Sequence, residues 1–123
     1  MAYEIPGFKF TLPAAADLSA SQYCFVVANS SSQAALVTTA IDASGVLCNK
    51  PNAAGVAAEI GTLGIYKVKA GAAVAAGARL MADGSGRGIT LSGATSKGLG
   101  IALSACSNAN EIITAFIAPL GTL

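Results

Sequence analysis

The order of apolar segments and turns in this chain runs through once and then begins again, and that repetition limits the fold more than any other feature. Residues 18–27, the turn Asn29-Ser30-Ser31-Ser32-Gln33 and the segment Ala35-Leu36-Val37-Thr38 come first. Residues 74–82, the turn Asp83-Gly84-Ser85-Gly86 and the segment Gly88-Ile89-Thr90-Leu91 follow in the same order. The downstream halves match as well: Ser44-Gly45-Val46-Leu47-Cys48 resembles Leu99-Gly100-Ile101-Ala102-Leu103, and the strand ending Leu63-Gly64 resembles the one ending Leu120-Gly121. The offset is about 55 residues with slips of one or two, so feature order carries the likeness and identity does not. Two copies of one β-unit, at approximately 18–69 and 74–123, are expected to pack as a pseudo-twofold pair. Cys24 then stands opposite Leu80 and Cys48 opposite Leu103, positions that suit core thiols better than metal ligands.

Nine segments predict strands: residues 23–28, 35–39, 45–48, 55–60, 64–69, 79–82, 88–92, 99–104 and 111–118. Between them lie clusters of Asn, Ser, Asp, Gly and Pro. Many short strands spaced by such turns predict an all-β fold, a small barrel or sandwich built from two similar β-units. The alanine-rich stretch 70–78 has helix propensity, but Gly71 and Gly77 interrupt it and it reads as a loop or one turn at most. Asp83-Gly84 beside alternating apolar residues marks a hairpin turn, since glycine supplies the positive φ such turns require.

Residues 1–20 stand apart as an extended N-terminal arm ahead of a single β domain at 21–123. Pro6, Gly7 and Pro13 oppose a helix, while Ile5, Phe8, Phe10 and Leu12 give a mostly alternating apolar pattern. Two readings stay open, a first strand of the chain's own core or an arm that lies on a neighbouring subunit. On the second, Ile5, Phe8, Phe10 and Leu12 are protein-interface residues and the arm orders on assembly. Ordering costs about 1–2 kcal/mol per residue in backbone entropy, which burial of large side chains against a partner would have to offset.

Chemistry-bearing groups are scarce. The chain has no histidine, so the commonest general base and the commonest metal ligand are both missing. Glu4, Asp17, Asp42, Glu59, Asp83 and Glu111 are spread along the sequence and form no metal-ligand spacing. Gly84-Ser85-Gly86-Arg87-Gly88 lacks the spacing of a phosphate loop. No enzymatic activity, cofactor or metal is therefore expected. A net charge of +1 and the absence of tryptophan argue against a nucleic-acid partner. Much of the 54% apolar share is alanine, and the best apolar window is broken by Arg79 and glycines, so no membrane span is expected. The start of the chain lacks the basic and continuous apolar regions of a secretory signal, which points to synthesis in the cytoplasm. Three cysteines, Cys24, Cys48 and Cys106, are expected as buried free thiols.

The order Gly45-Val46-Leu47, residues 55–60, Leu63-Gly64-Ile65-Tyr66-Lys67-Val68, the alanine-glycine stretch 70–77, residues 80–88 and Leu99-Gly100-Ile101-Ala102-Leu103 resembles the capsid decoration, or cement, proteins of tailed phages. The likeness spans roughly residues 18–118, with a longer, more aromatic start here than in many members. The resemblance implies a β-rich virion protein that binds the outer capsid surface, contacts the major capsid protein and bridges capsomers. It also implies self-association, as a homotrimer or a dimer. A self-assembling tube, spike or adhesin subunit is the alternative for the same features.

Overall fold

The computed structural model describes residues 2–38, 43–92 and 98–119. These residues form ten strands: β1 Phe8–Pro13, β2 Phe25–Ala28, β3 Ala34–Leu36, β4 Gly45–Leu47, β5 Ala57–Thr62, β6 Gly64–Lys69, β7 Arg79–Ala82, β8 Gly88–Thr90, β9 Gly100–Ala102 and β10 Ile112–Ile117. No helix occurs among the described residues, and the alanine-rich stretch 70–78 is a loop. The nine segments expected from the sequence all appear within two or three residues of their expected ends. Thr39, Asp42, Lys97, Leu120 and Gly121 lie outside the described residues.

The strands make a sandwich of two five-stranded antiparallel sheets, ordered β1-β5-β4-β2-β3 and β6-β10-β9-β7-β8. Adding five to each strand of the first sheet yields the second. Register repeats too: Phe8 faces Thr62 across β1 and β5 as Gly64 faces Ile117 across β6 and β10. Val26 faces Leu36 as Leu80 faces Thr90, and Val46 faces Gly61 as Ile101 faces Phe116. Each sheet also has its two edge strands joined at one corner by a parallel bridge, Ala14 to Ala34 in one and Ala70 to Gly88 in the other.

Turn chemistry explains why two such different sequences keep one topology. Asn29 Oδ1 accepts the N–H groups of Ser31 and Gln33, both at 2.9 Å. Asp83 Oδ1 accepts those of Ser85 and Arg87 at 2.8 and 2.9 Å. A short side-chain oxygen that holds the backbone two and four residues on fixes the hairpin in both copies. The left-handed positions coincide as well, Tyr23 with Gly77, Ser32 with Gly86 and Gly55 with Asn110. In the second hairpin the positive φ falls on Gly86, not on the Gly84 that an Asp-Gly turn would use, because the loop spans five residues instead of two.

Structure and spacing differ in three respects. Strand order places the joint between copies at Leu63, so β1 opens the first copy and β6 opens the second, and residues 64–69 do not close the first. Val26, not Cys24, is the counterpart of Leu80, whereas Cys48 does stand opposite Leu103. The pairing of the copies is not twofold. On β2 and β4, Phe25 and Val46 join a core with Tyr66, Val68, Leu80, Ala102, Ile113, Ala115 and Ile117, while the alternate residues Val26 and Leu47 join a second, smaller core with Ala14, Leu18, Ala34, Ala58 and Ile60. The counterparts of Val26, Leu47, Ala58 and Ile60 are Leu80, Ala102, Ile113 and Ala115. One sheet therefore contributes its outer face and the other its inner face. A twofold axis would bring the same patch from both copies together; here unlike patches meet, and the sheets stack head to tail.

Candidate interaction surface

β1 is an edge strand whose pleat points Phe8, Phe10 and Leu12 to one side and Lys9 and Thr11 to the other. Leu12 reaches the small core and is half-buried. Phe8 and Phe10 lie beyond that core and remain 67% and 38% exposed. Lys9 pairs with Glu59 at 2.9 Å across β5, and that hydrogen bond raises the lysine pKa against the lowering effect of partial burial. Both partners are solvent-exposed, so the pair contributes little stability.

Before β1 the chain crosses to the other sheet. Ile5 makes an isolated antiparallel bridge with Ile65 on the free edge of β6, with N···O distances of 2.9 and 3.0 Å. The Tyr3 N–H donates to Thr114 Oγ1 at 3.0 Å. Gly7 makes the crossing possible, since a Cβ there would collide with the Leu63 carbonyl. Tyr66 locks it: its hydroxyl accepts the Gly7 N–H at 3.1 Å and donates to the Phe8 carbonyl at 2.7 Å. Desolvation raises the pKa of that phenol. Its ring lies on Gly61, where any side chain would strike it.

The expected interface residues thus separate. Ile5, Phe8 and Phe10 sit at the surface, Ile5 at 59% exposure, and Leu12, on the same side of β1 as Phe8 and Phe10 but further along it, lies opposite Ala58 over the small core. The sequence also left a second surface unremarked. Directly paired residues on an antiparallel sheet share a face, so the register sets Ile5, Ile65, Phe116, Ile101 and Arg79 in one row across the outer face of the second sheet. Phe116 and Ile101 are 42% and 38% exposed, and Leu103 and Ile112 are exposed on the same face. The signal was present as apolar residues on both faces of β10, Ile112 and Phe116 on one and Ile113, Ala115 and Ile117 on the other, which a one-faced surface strand does not need.

Titratable groups come together at one place among the described residues. A depression of about 320 Å³ between the copies is lined by residues that include Cys24, Lys69, Arg87 and Asn110. Burial pushes the Cys24 thiol up, away from the thiolate form that nucleophilic chemistry uses. Burial likewise pushes Cys48 up to about 11. All three cysteines are free, Cys24 buried and Cys48 and Cys106 half-buried, so the expectation of full burial holds for Cys24 alone. Among the described residues, no three His, Cys, Asp or Glu side chains group as a metal site.

A family model described as phage cement protein matches residues 6–117. The chain belongs to the phage cement protein family. Its match begins at Pro6 and so takes in β1, the first strand of the first copy. No curated protein matches the chain. Among solved structures, the crystal structure of the head fiber gp8.5 N base of bacteriophage phi29 is similar, with a TM-score of 0.70 at 16% identity over 94% of this chain and 97% of that one. At that identity the likeness speaks for the fold. Family and fold together identify a structural protein of a phage particle.

Proposed function

We propose that this cement protein binds the outer surface of the capsid, contacts the major capsid protein and stabilises the shell by bridging capsomers, as a homo-oligomer with the trimer favoured and without catalytic turnover. One observation carries the reading: exposed large apolar side chains gather on the β1 edge, as Phe8 and Phe10, and on one sheet face, as Ile101, Ile112 and Phe116, not in a cleft. Flat apolar surface rimmed by polar groups suits contact with another protein. On the second sheet the polar groups beside this row are Arg79 and Lys67. Ile5, Phe8 and Phe10 are protein-contact residues on this reading, and inward-facing Leu12 is not.

The test is cosedimentation of the purified chain with expanded capsids that lack decoration, followed by heating. Saturable binding with a raised rupture temperature is expected. Absence of binding to expanded shells overturns the reading.

A further inference from the structure

The two copies of the β-unit differ in what covers their outer faces. In the first sheet the row Gly61, Val46 and Phe25 is buried beneath the second sheet, and the residue lying on Gly61 is Tyr66. The equivalent row in the second sheet is Phe116, Ile101 and Arg79, of which Phe116 and Ile101 stay 42% and 38% exposed. The residue equivalent to Tyr66 is Phe10, which protrudes from β1 beside the more exposed Phe8. Both halves of an interface that the chain already makes with itself are therefore presented once more, unused.

We propose that copies of this chain associate head to tail, with Phe8 and Phe10 of one copy seated on the outer sheet face around Phe116 and Ile101 of the next. The proposal rests on the self-association within the function proposed above, and names its surfaces. Inside the chain the contact is already heterologous, outer face against inner face, so repetition between chains continues the same arrangement. Each single chain has one seat and one plug. The fit is not a copy of the internal one: Gly61 leaves a hollow for the Tyr66 ring, whereas Phe116 offers a ring of its own, and offset or edge-to-face aromatic contact replaces insertion. β1 also ends at Pro13, in place of Lys69, whose N–H donates to the Tyr23 carbonyl at 2.9 Å within the chain. Proline has no such donor. Side chains at the seat carry the contact between copies, and this backbone bond is absent from it.

The experiment measures mass in solution by light scattering on the full chain, without capsids, so that its failure leaves capsid binding to be judged separately. Wild-type protein is expected as an oligomer of the 12.0 kDa chain. Phe10→Asp and Phe116→Asp are each expected to run as monomers with unchanged far-UV circular dichroism. An equimolar mixture of the two has one intact plug and one intact seat, and is expected to form a heterodimer and nothing larger. A twofold contact of β1 with β1 or of face with face would not be rescued by mixing. If Phe116→Asp fails to fold, Ile101→Lys at the neighbouring position in the row takes its place. Wild-type protein that stays monomeric at high concentration, a seat variant that keeps the wild-type mass, or a mixture that stays monomeric overturns the proposal.

Discussion

The two halves of this molecule share strand order, register and turn positions, and yet they are buried differently. The first sheet has apolar contacts on both faces, and the second has them on one. Their internal faces hold similar side chains, Val26 with Leu80 and Ala58 with Ile113. Their outer faces diverge, Gly61 with Phe116 and Phe25 with Arg79. Topology is held by features both halves keep, namely side-chain-capped hairpins and period-two alternation. What lies outside each sheet is decided residue by residue, by whether another sheet sits there.

The sharpest break of this comparison is removal of β1. Its counterpart β6 pairs with β10 over six residues, and β1 pairs with β5 over six. Deleting residues 1–12 takes away that pairing, the Leu12 contact with the small core and two partners of the Tyr66 hydroxyl, the Gly7 N–H and the Phe8 carbonyl, leaving only the Thr62 carbonyl at 3.2 Å. Loss of cooperative thermal unfolding is expected. A truncated chain that unfolds at the wild-type temperature would make β1 an appendage, the arm reading that the sequence left open.

Next in size are substitutions at equivalent aromatic positions. Tyr66→Ala empties a buried site between the sheets and is expected to cost about 3–5 kcal/mol in denaturant unfolding. Phe10→Ala, at the matching position on β1, is expected to cost about 1 kcal/mol or less, since its ring is partly solvated already. Equal costs would mean that Phe10 is covered in the free chain.

A smaller contrast concerns the floor beneath those rings. Gly61→Ala places a methyl against the Tyr66 ring and is expected to destabilise by about 1–3 kcal/mol through overpacking. Phe116→Ala at the equivalent open position should fall within about 0.5 kcal/mol when measured on dissociated protein.

The smallest effect is in alkali. Cys48 has its pKa raised by desolvation from an ordinary 9.0 to about 11, so the folded chain favours the neutral thiol. The stability this contributes is fully present below pH 9.0 and is lost as pH rises towards about 11. Tyr66, raised by the same cause, adds to that decline at higher pH. The counterpart of Cys48 across the repeat, Leu103, has no titratable group. Unfolding curves of Cys48→Val across this range should fall less steeply than those of the wild type.

Strand positions and the repeat were legible in the sequence because turn residues punctuate it: Asn29, Asp83, Gly55 and Asn110 mark corresponding corners. The joint at Leu63 was not, since β5 and β6 follow one another with a single residue between them and no proline or polar cluster to mark it. That slip set residues 64–69 in the wrong copy, left β1 outside the repeat and moved Cys24 two places out of register. Of the surface, Ile5, Phe8 and Phe10 stood out as an aromatic-rich start, whereas Phe116 and Ile101 read like any other strand residues. Their exposure depends on which face the second sheet turns to the first, and alternation alone does not say.

In the proposed role on a shell the chain would bear load, and the path of force through it follows from the crossing at Gly7. The backbone passes between the sheets at Leu63, and within contact distance of that point it passes again at Gly7, beneath the Tyr66 hydroxyl. Both covalent straps lie at one corner. Between β2 and the loop before β8, the sheets are joined by the bond from the Phe25 N–H to the Gly86 carbonyl at 2.7 Å, with Leu36 lying close to Gly86. A load that pulls the sheets apart meets covalent straps at that corner and hydrogen bonds away from it, the Lys69 N–H to the Tyr23 carbonyl at 2.9 Å among them, so opening is expected to start far from Gly7.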